Sequence, residues 1–257
     1  MSKRFVVVDL FPSLLQPEGD YGNVVFLAHR ARQYGLDSDV VIVHPGDEMP
    51  RADIVTVGGS MDGDAAACAA LMRDSGVLTS AWESGAVVLG VGAGFCLLAH
   101  TFVDGFGKTC QATGLLDVHM EPAPLASGPV VTFANDTLGL PPMSGYELHA
   151  QHAIRSSQVP PLAELELGVG DRLVGAEGKA TDGAIGERIV GSWLHGPLLP
   201  RNPAVADLLL RWARPEFATP APDGTAHQAP RAVRDMDDVA ESIRTGRMAE
   251  ARRSASQ

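Results

Sequence analysis

Cysteine is scarce, and the three present, Cys68, Cys96 and Cys110, form no C-x-x-C pair. That excludes a disulfide framework and a cysteine-type zinc site, and it fits a reduced, cytoplasmic setting. No metal and no cofactor is expected. Long apolar runs are also missing, and none approaches the ~20 residues of a membrane-spanning helix. The opening MSKRFVVVDLF is interrupted by Asp9 and followed by Pro12, so it reads as a first strand and not as a signal peptide. Positive charge is in deficit: 20 Lys and Arg stand against 31 Asp and Glu, a net charge of -11. Without a local basic patch, nucleic acid is not an expected partner.

What is present suits one large globular domain with a tail. Hydrophobic residues make up 45% of the 257, enough for a buried core. Short apolar runs at Phe5 to Val8, Asp39 to His44, Ile54 to Val57 and Val87 to Val91 read as buried strands. Helical spacing separates them at 23 to 34, 65 to 73 and 78 to 83. Strands alternating with helices predict an α/β domain, a mostly parallel sheet with helices on both faces. After Thr101 the runs shorten, as at Pro129 to Phe133 and Arg172 to Ala176, and predict antiparallel additions at a sheet edge. A helix is expected from Asn202 to Arg214, with Pro203 near its start. The globular domain would span 1–214, a Pro/Ala-rich linker 215–236 and a terminal, partner-binding helix 237–257. The acidic start and basic end of that helix suit its dipole.

Four segments carry chemistry. VVLGVGAGFCLLAH, residues 87 to 100, runs from a buried strand through a small-residue turn into a helix. That is the shape of a nucleophile elbow, with Gly92 at the apex and the helix-start amides, Ala93 first, placed to hold an oxyanion. A plain βα turn, or one that binds phosphate, has the same look. His195, in SWLHGPLLPRNP, leaves a strand into a Gly-Pro turn; it is either a general base or a core-edge histidine. Asp20, in EGDYGN, either caps the helix it precedes or orients His195. Gly58 and Gly59 close a strand and either supply further oxyanion donors or simply form a turn.

Together and in this order, these segments resemble glutamine amidotransferases of class I, in the cobyric-acid-synthase-like branch. Within it they resemble the GatD-type subunits of lipid II isoglutaminyl synthase. The resemblance covers Phe5 to Arg214 and implies a flavodoxin-like amidotransferase fold. It also implies a Mur-ligase-like, ATP-dependent synthetase partner of the MurT type, with glutamine as the small molecule bound. Laid on the chain, the family's V-C-A-G-F-Q puts its cysteine on Gly92, Ala-Gly-Phe on Ala93, Gly94 and Phe95, and its glutamine on Cys96. The catalytic histidine falls on His195 and its supporting aspartate on Asp20. The family's G-x-D-R after the glycine pair is here Ser60 to Gly63, and the stretch 121 to 128 lacks its substrate-binding arginine. Its G-[FY]-E-N-H-G-G-R becomes GYELHAQH, in which Gly145, Tyr146, Glu147 and His149 match.

The departures fall on the site, while the scaffold is kept. Glycine cannot attack a carbonyl, so the leading expectation is a subunit with glutaminase chemistry lost and a scaffold or regulatory role kept. One alternative is an active glutaminase that uses Cys96, one helical turn from Gly92. Cys96 fits better as a small buried hydrophobe. A second alternative is a small-molecule binder reusing the cleft. A third is hydrolysis by water, with His195 as base.

Overall fold

The computed structural model describes residues 4–15, 20–59, 64–171, 179–218 and 231–255. Ser60 to Gly63, the Arg172 to Ala176 run and residues 219–230 of the expected linker lie outside them. The chain runs β1 (Phe5–Leu10), α1 (Tyr21–Gln33), β2 (Ser38–Val43), β3 (Ile54–Val57), α2 (Asp64–Ser75), α3 (Val77–Glu83), β4 (Val87–Val91) and α4 (Ala93–Leu98). It continues through β5 (Thr101–Val103), β6 (Thr109–Gln111), β7 (Val118–Thr132), β8 (Ser144–Arg155), β9 (Ala163–Leu167), β10 (Thr181–Asp182), β11 (Ala184–Gly186) and β12 (Ile189–Ser192). The helices α5 (Leu198–Arg201), α6 (Pro203–Ala213) and α7 (Arg231–Ala255) follow, with a 3-10 turn at Pro215–Ala218.

The first sheet has the order β11-β12-β4-β3-β1-β2, parallel except for β11 at its edge. Its strands are apolar on both faces, as sheets covered by helices on both sides must be. One face packs Val7, Ile54, Leu89 and Val190 against α1 and α6. The other packs Val8, Val55, Val88 and Ile189 against α2, α3 and α4. Consecutive helices therefore leave the adjacent strands β1 and β3 on opposite faces. In sheets of this kind, a crevice opens at the C-terminal ends of such strands.

The antiparallel strands differ from expectation. Only β11 joins the parallel sheet; β5 to β10 form a second, six-stranded sheet. Its spine is the 15-residue β7, of which the sequence signalled only the end, because Pro122, Pro124 and Pro129 interrupt the run. The prolines are tolerated for two reasons. The register with β8 shifts between Pro122 and Ala126. In addition, among the described residues the opposite edge of β7 pairs only near its ends, with β5 at His119 and with β9 at Val131 and Thr132. Helix α7 begins at Arg231, six residues earlier than expected. Its acidic cluster therefore lies inside the helix and not at its start.

The two sheets meet on buried polar groups. Trp193, directly after β12, stacks on His149 of β8 at 4.4 Å and meets Phe95 of α4 edge-on at 5.1 Å. Its indole N–H donates to Asp171 (2.7 Å) and its backbone N–H to Asp182 (3.1 Å). Arg155 pairs with Asp171 at 2.6 Å, whereas Asp182 receives only the Ser192 hydroxyl (2.7 Å) and that Trp193 amide. Burial, together with the charge of Asp171, pushes the Asp182 carboxyl up to about 7 against these hydrogen bonds.

An unfolded aspartate ionises near ~3.9, so between there and neutrality the native chain keeps a proton that the unfolded chain has released. This contribution is complete below the unfolded value and disappears as pH rises through 7. Asp182→Asn, which keeps the shape, accepts from the Trp193 N–H and donates to the Ser192 hydroxyl oxygen in place of accepting from it, should flatten the decline between about pH 4 and 7 and leave the protein more stable than its parent at pH 8. Urea denaturation of both proteins across that range checks it, and parallel curves would refute it.

Candidate functional site

The sequence-predicted residues Asp20, Gly58, Gly59, Gly92, Ala93 and His195 gather at the C-terminal ends of β1, β3, β4 and β12. Gly92 is the apex of the β4–α4 turn, with φ 58 and ψ -119. That is a left-handed conformation, strained for any residue with a Cβ. Such a sharp turn also requires α4 to sit close to the sheet. Gly94 permits this: a Cβ there would lie 2.0 Å from the Val57 carbonyl oxygen. Ala93 is half-exposed at the first position of α4. Helix geometry leaves its N–H without an intrahelical acceptor.

The central measurement is between Gly92 and His195. A Cβ built on Gly92 would stand 2.3 Å from Cε1 and 2.6 Å from Nε2 of His195. Carbon atoms in van der Waals contact need ~3.5 Å or more. The imidazole thus lies where a side chain at the apex would have to begin. His195 is buried at 5% exposure, and its main chain is fixed. Its N–H donates to the Tyr146 carbonyl (2.8 Å), and its carbonyl accepts from the Tyr146 N–H (3.3 Å).

Asp20 does not cap α1 with its side chain. Its carboxylate turns inward and accepts the Gly59 N–H at 2.6 Å, with the Asn23 amide at 3.4 Å. Gly59 was expected as an oxyanion donor; its N–H is committed to Asp20 instead. Gly58 lines a narrow crevice with Asp20, Asn23, Thr56, Leu89 and Val91, which has no room for a water molecule. Burial raises the Asp20 carboxyl above the usual carboxylate range, while the Gly59 hydrogen bond and the nearby His195 charge pull it down.

Cys96 is not brought to this cluster as a substitute nucleophile. It is buried at 3% exposure in the core beneath α4, where the Gln151 amide of β8 reaches its sulfur at 3.9 Å. Burial pushes its thiol up to about 12, so almost no thiolate exists at neutral pH. Glu147 and His149, matched in the GYELHAQH segment, lie in the inter-sheet contact and not at Gly92. Glu147 accepts the Val169 and Gly170 N–H groups, each at 2.7 Å, and pairs with His149 at 3.2 Å. Burial opposes its charge, but His149 and these amides hold the carboxyl below its usual range. Among the described residues, no group of three or more His, Cys, Asp and Glu could hold a metal ion. No described helix is long and apolar enough to cross a membrane.

Residue-by-residue reading of the sequence passed over the side chains that tie the segments together. The Asn23 side-chain oxygen accepts the Leu199 N–H at 2.8 Å, joining the start of α1 to α5. A Cβ at Gly22 would meet Pro197 at 2.6 Å, so glycine is needed where the Gly-Pro turn after His195 crosses α1. Asn202 accepts the Ser144 N–H (3.0 Å) and donates to the carbonyls of Ser144 (3.0 Å) and Leu198 (2.9 Å). Their signal was asparagine between buried neighbours in two otherwise unexplained motif positions.

A strand-to-helix apex, a histidine facing it from the end of a neighbouring strand and a buried aspartate behind form the frame of a class I glutamine amidotransferase. A solved glutamine amidotransferase superposes with a TM-score of 0.51 at 17% identity, over 80% of this chain and 98% of its own. The sequence model of the CobB/CobQ-like glutamine amidotransferase domain matches residues 20–203, and the chain belongs to that family. The GatD subunit of the glutamine-hydrolyzing lipid II isoglutaminyl synthase of Staphylococcus aureus (strain N315) is 26% identical over 76% of this chain and 78% of its own. The GatD subunit of Streptococcus pneumoniae (strain ATCC BAA-255 / R6) is 26% identical over 80% of this chain and 79% of its own.

Asn202→Ala would strip three buried hydrogen bonds and leave Ser144 unsatisfied on both its N–H and C=O. Unsatisfied buried groups cost about 1–3 kcal/mol each, so a loss of about 3 kcal/mol is expected, read as a lowered urea midpoint. A change below about 0.5 kcal/mol would mean the clamp is not structural.

Proposed function

We propose that this chain is the amidotransferase-type subunit of a two-component amide synthetase like those its relatives are named for, and that it acts there as a scaffold without hydrolysing glutamine. Its partner is a Mur-ligase-like, ATP-dependent synthetase of the MurT type, in the cytoplasm, using ammonia that this subunit does not generate. Amidation of the lipid II D-glutamate is the reaction the relatives' names suggest.

One observation carries the loss of chemistry: the apex has no side chain, and the His195 ring fills the space where one would start. Glutamine hydrolysis in this frame needs a thiolate that forms an acyl-enzyme, with a base within reach of the sulfur. At Gly92 there is no sulfur, and the His195 ring would have to shift to admit one. The committed Gly59 amide and the arginine-free stretch 121 to 128 add to this, since binding and oxyanion stabilisation would be weakened as well. Loss of a nucleophile alone lowers turnover by several orders of magnitude. One other reading loses support: burial keeps the Cys96 thiol protonated at neutral pH, which disfavours it as the nucleophile.

Ammonia release from glutamine, measured on the purified protein with and without the Mur-ligase-like partner, should stay at the buffer rate. Cys96→Ala should change nothing. Gly92→Cys should not restore hydrolysis, because the new Cβ must displace the imidazole and hold a strained backbone. Ammonia release abolished by Cys96→Ala would overturn the scaffold reading. Failure of the two proteins to co-purify would remove the partner.

A further inference from the structure

Helix α7 begins at residue 231, beyond residue 203 where the match to the family's sequence model ends. It packs against α1, α5 and β8. Two of these adjoin His195: α5 starts three residues after it, and β8 carries Tyr146, which bonds to its main chain on both sides. The residues α7 turns toward the body are Asp237, Ala240, Arg244 and Met248, all half-buried and at helical spacing. Among its described residues none is fully buried, while Val239 (60% exposed) and Ile243 (54%) face solvent. None of those described residues places a large aliphatic side chain in the core.

Charge attaches it instead. Near one end, Arg30 of α1 binds both carboxylate oxygens of Asp237, at 2.7 and 3.0 Å. At the other end, Arg252 forks onto Glu166 of β9 with two bonds of 2.6 Å. The helix thus links the α1–α6 layer to the second sheet. Detachment leaves no stranded charge. Arg30, 1% exposed, also binds Asp207 of α6 through two bonds of 2.9 and 2.7 Å, and it keeps that partner when Asp237 leaves. Between the two anchors Arg244 weakens the seat: its Nε is buried without a hydrogen-bond partner, and its ion pair is with Glu241 of the same helix.

We propose that α7 is a detachable strap, held to the amidotransferase domain by ion pairs at its two ends, which braces the α5 and β8 segments around His195 and releases as ionic strength rises. This goes beyond the scaffold reading and does not need it, because release can be measured without any activity.

Hydrogen–deuterium exchange of the full chain at about 0.05 M and about 1 M sodium chloride tests it, since the higher salt, with a Debye length of ~3 Å, screens the exposed Arg252–Glu166 pair and competes for the half-exposed Asp237 carboxylate. Peptides from 231–255 should lose protection at least about tenfold at high salt, with those from β3 and β4 unchanged. Peptides covering 144–148 and 196–201 should loosen with them. At low salt, the double variant Asp237→Asn with Arg252→Gln should already show the released pattern and respond little to further salt. Asp238→Asn, at an exposed position of the same helix, should behave as the parent. Equal protection of 231–255 at both salts would overturn the proposal, as would parent-like protection in the double variant. Loss of α7 protection with 144–148 and 196–201 unaffected would overturn the bracing.

Discussion

The φ of 58 at Gly92 brings β4 into α4 within a single residue and aims the apex at the end of β12. Everything near the site is arranged around that bend. Gly94 lets the helix settle on the Val57 carbonyl, Phe95 then reaches the Trp193 indole, and Trp193 is two residues from His195. The bend thus fixes where the histidine can lie. Here it presents backbone, and the His195 imidazole lies where a Cβ would begin. Placing a thiol at the apex is consequently a problem of two residues and not of one: the ring must shift before a sulfur can enter.

A second consequence concerns the buried acids. Asp20, Asp171 and Asp182 are each almost wholly removed from water and held above the ordinary carboxylate range. Such groups are costly unless they fix geometry. Each does so here. Asp20 ties the β1 loop to the Gly58–Gly59 turn, and Asp171 and Asp182 hold the strand exit that carries His195. With glycine at the apex and these acids in place, the site keeps its buried frame.

The parallel half of the fold was legible because its signals are local. Apolar runs such as Ile54 to Val57 and Val87 to Val91 coincide with β3 and β4, and the Gly-rich turn after Val91 names the bend. The second sheet was not legible, since β7 carries three prolines and its pairing with β8 is set by register across distant segments. At the site, the residue types were readable but their engagements were not. Nothing in GDYGN or in the glycine pair says that Asp20 would take up the Gly59 amide. Nothing in the spacing of Gly92 and His195 says that one would occupy the other's space. Those facts depend on through-space distances that single-sequence patterns do not encode.

The prolines of β7 have an effect outside the fold itself. Between residues 122 and 129, among the described residues, one edge of this strand is unpaired. An open edge is an invitation for a foreign chain to add a strand and seed a fibrous aggregate. Pro122, Pro124 and Pro129 have no N–H to offer, and the shift in register before Ala126 spoils the flatness an incoming strand would need. The same residues that hid this strand from the sequence reading protect the protein's solubility.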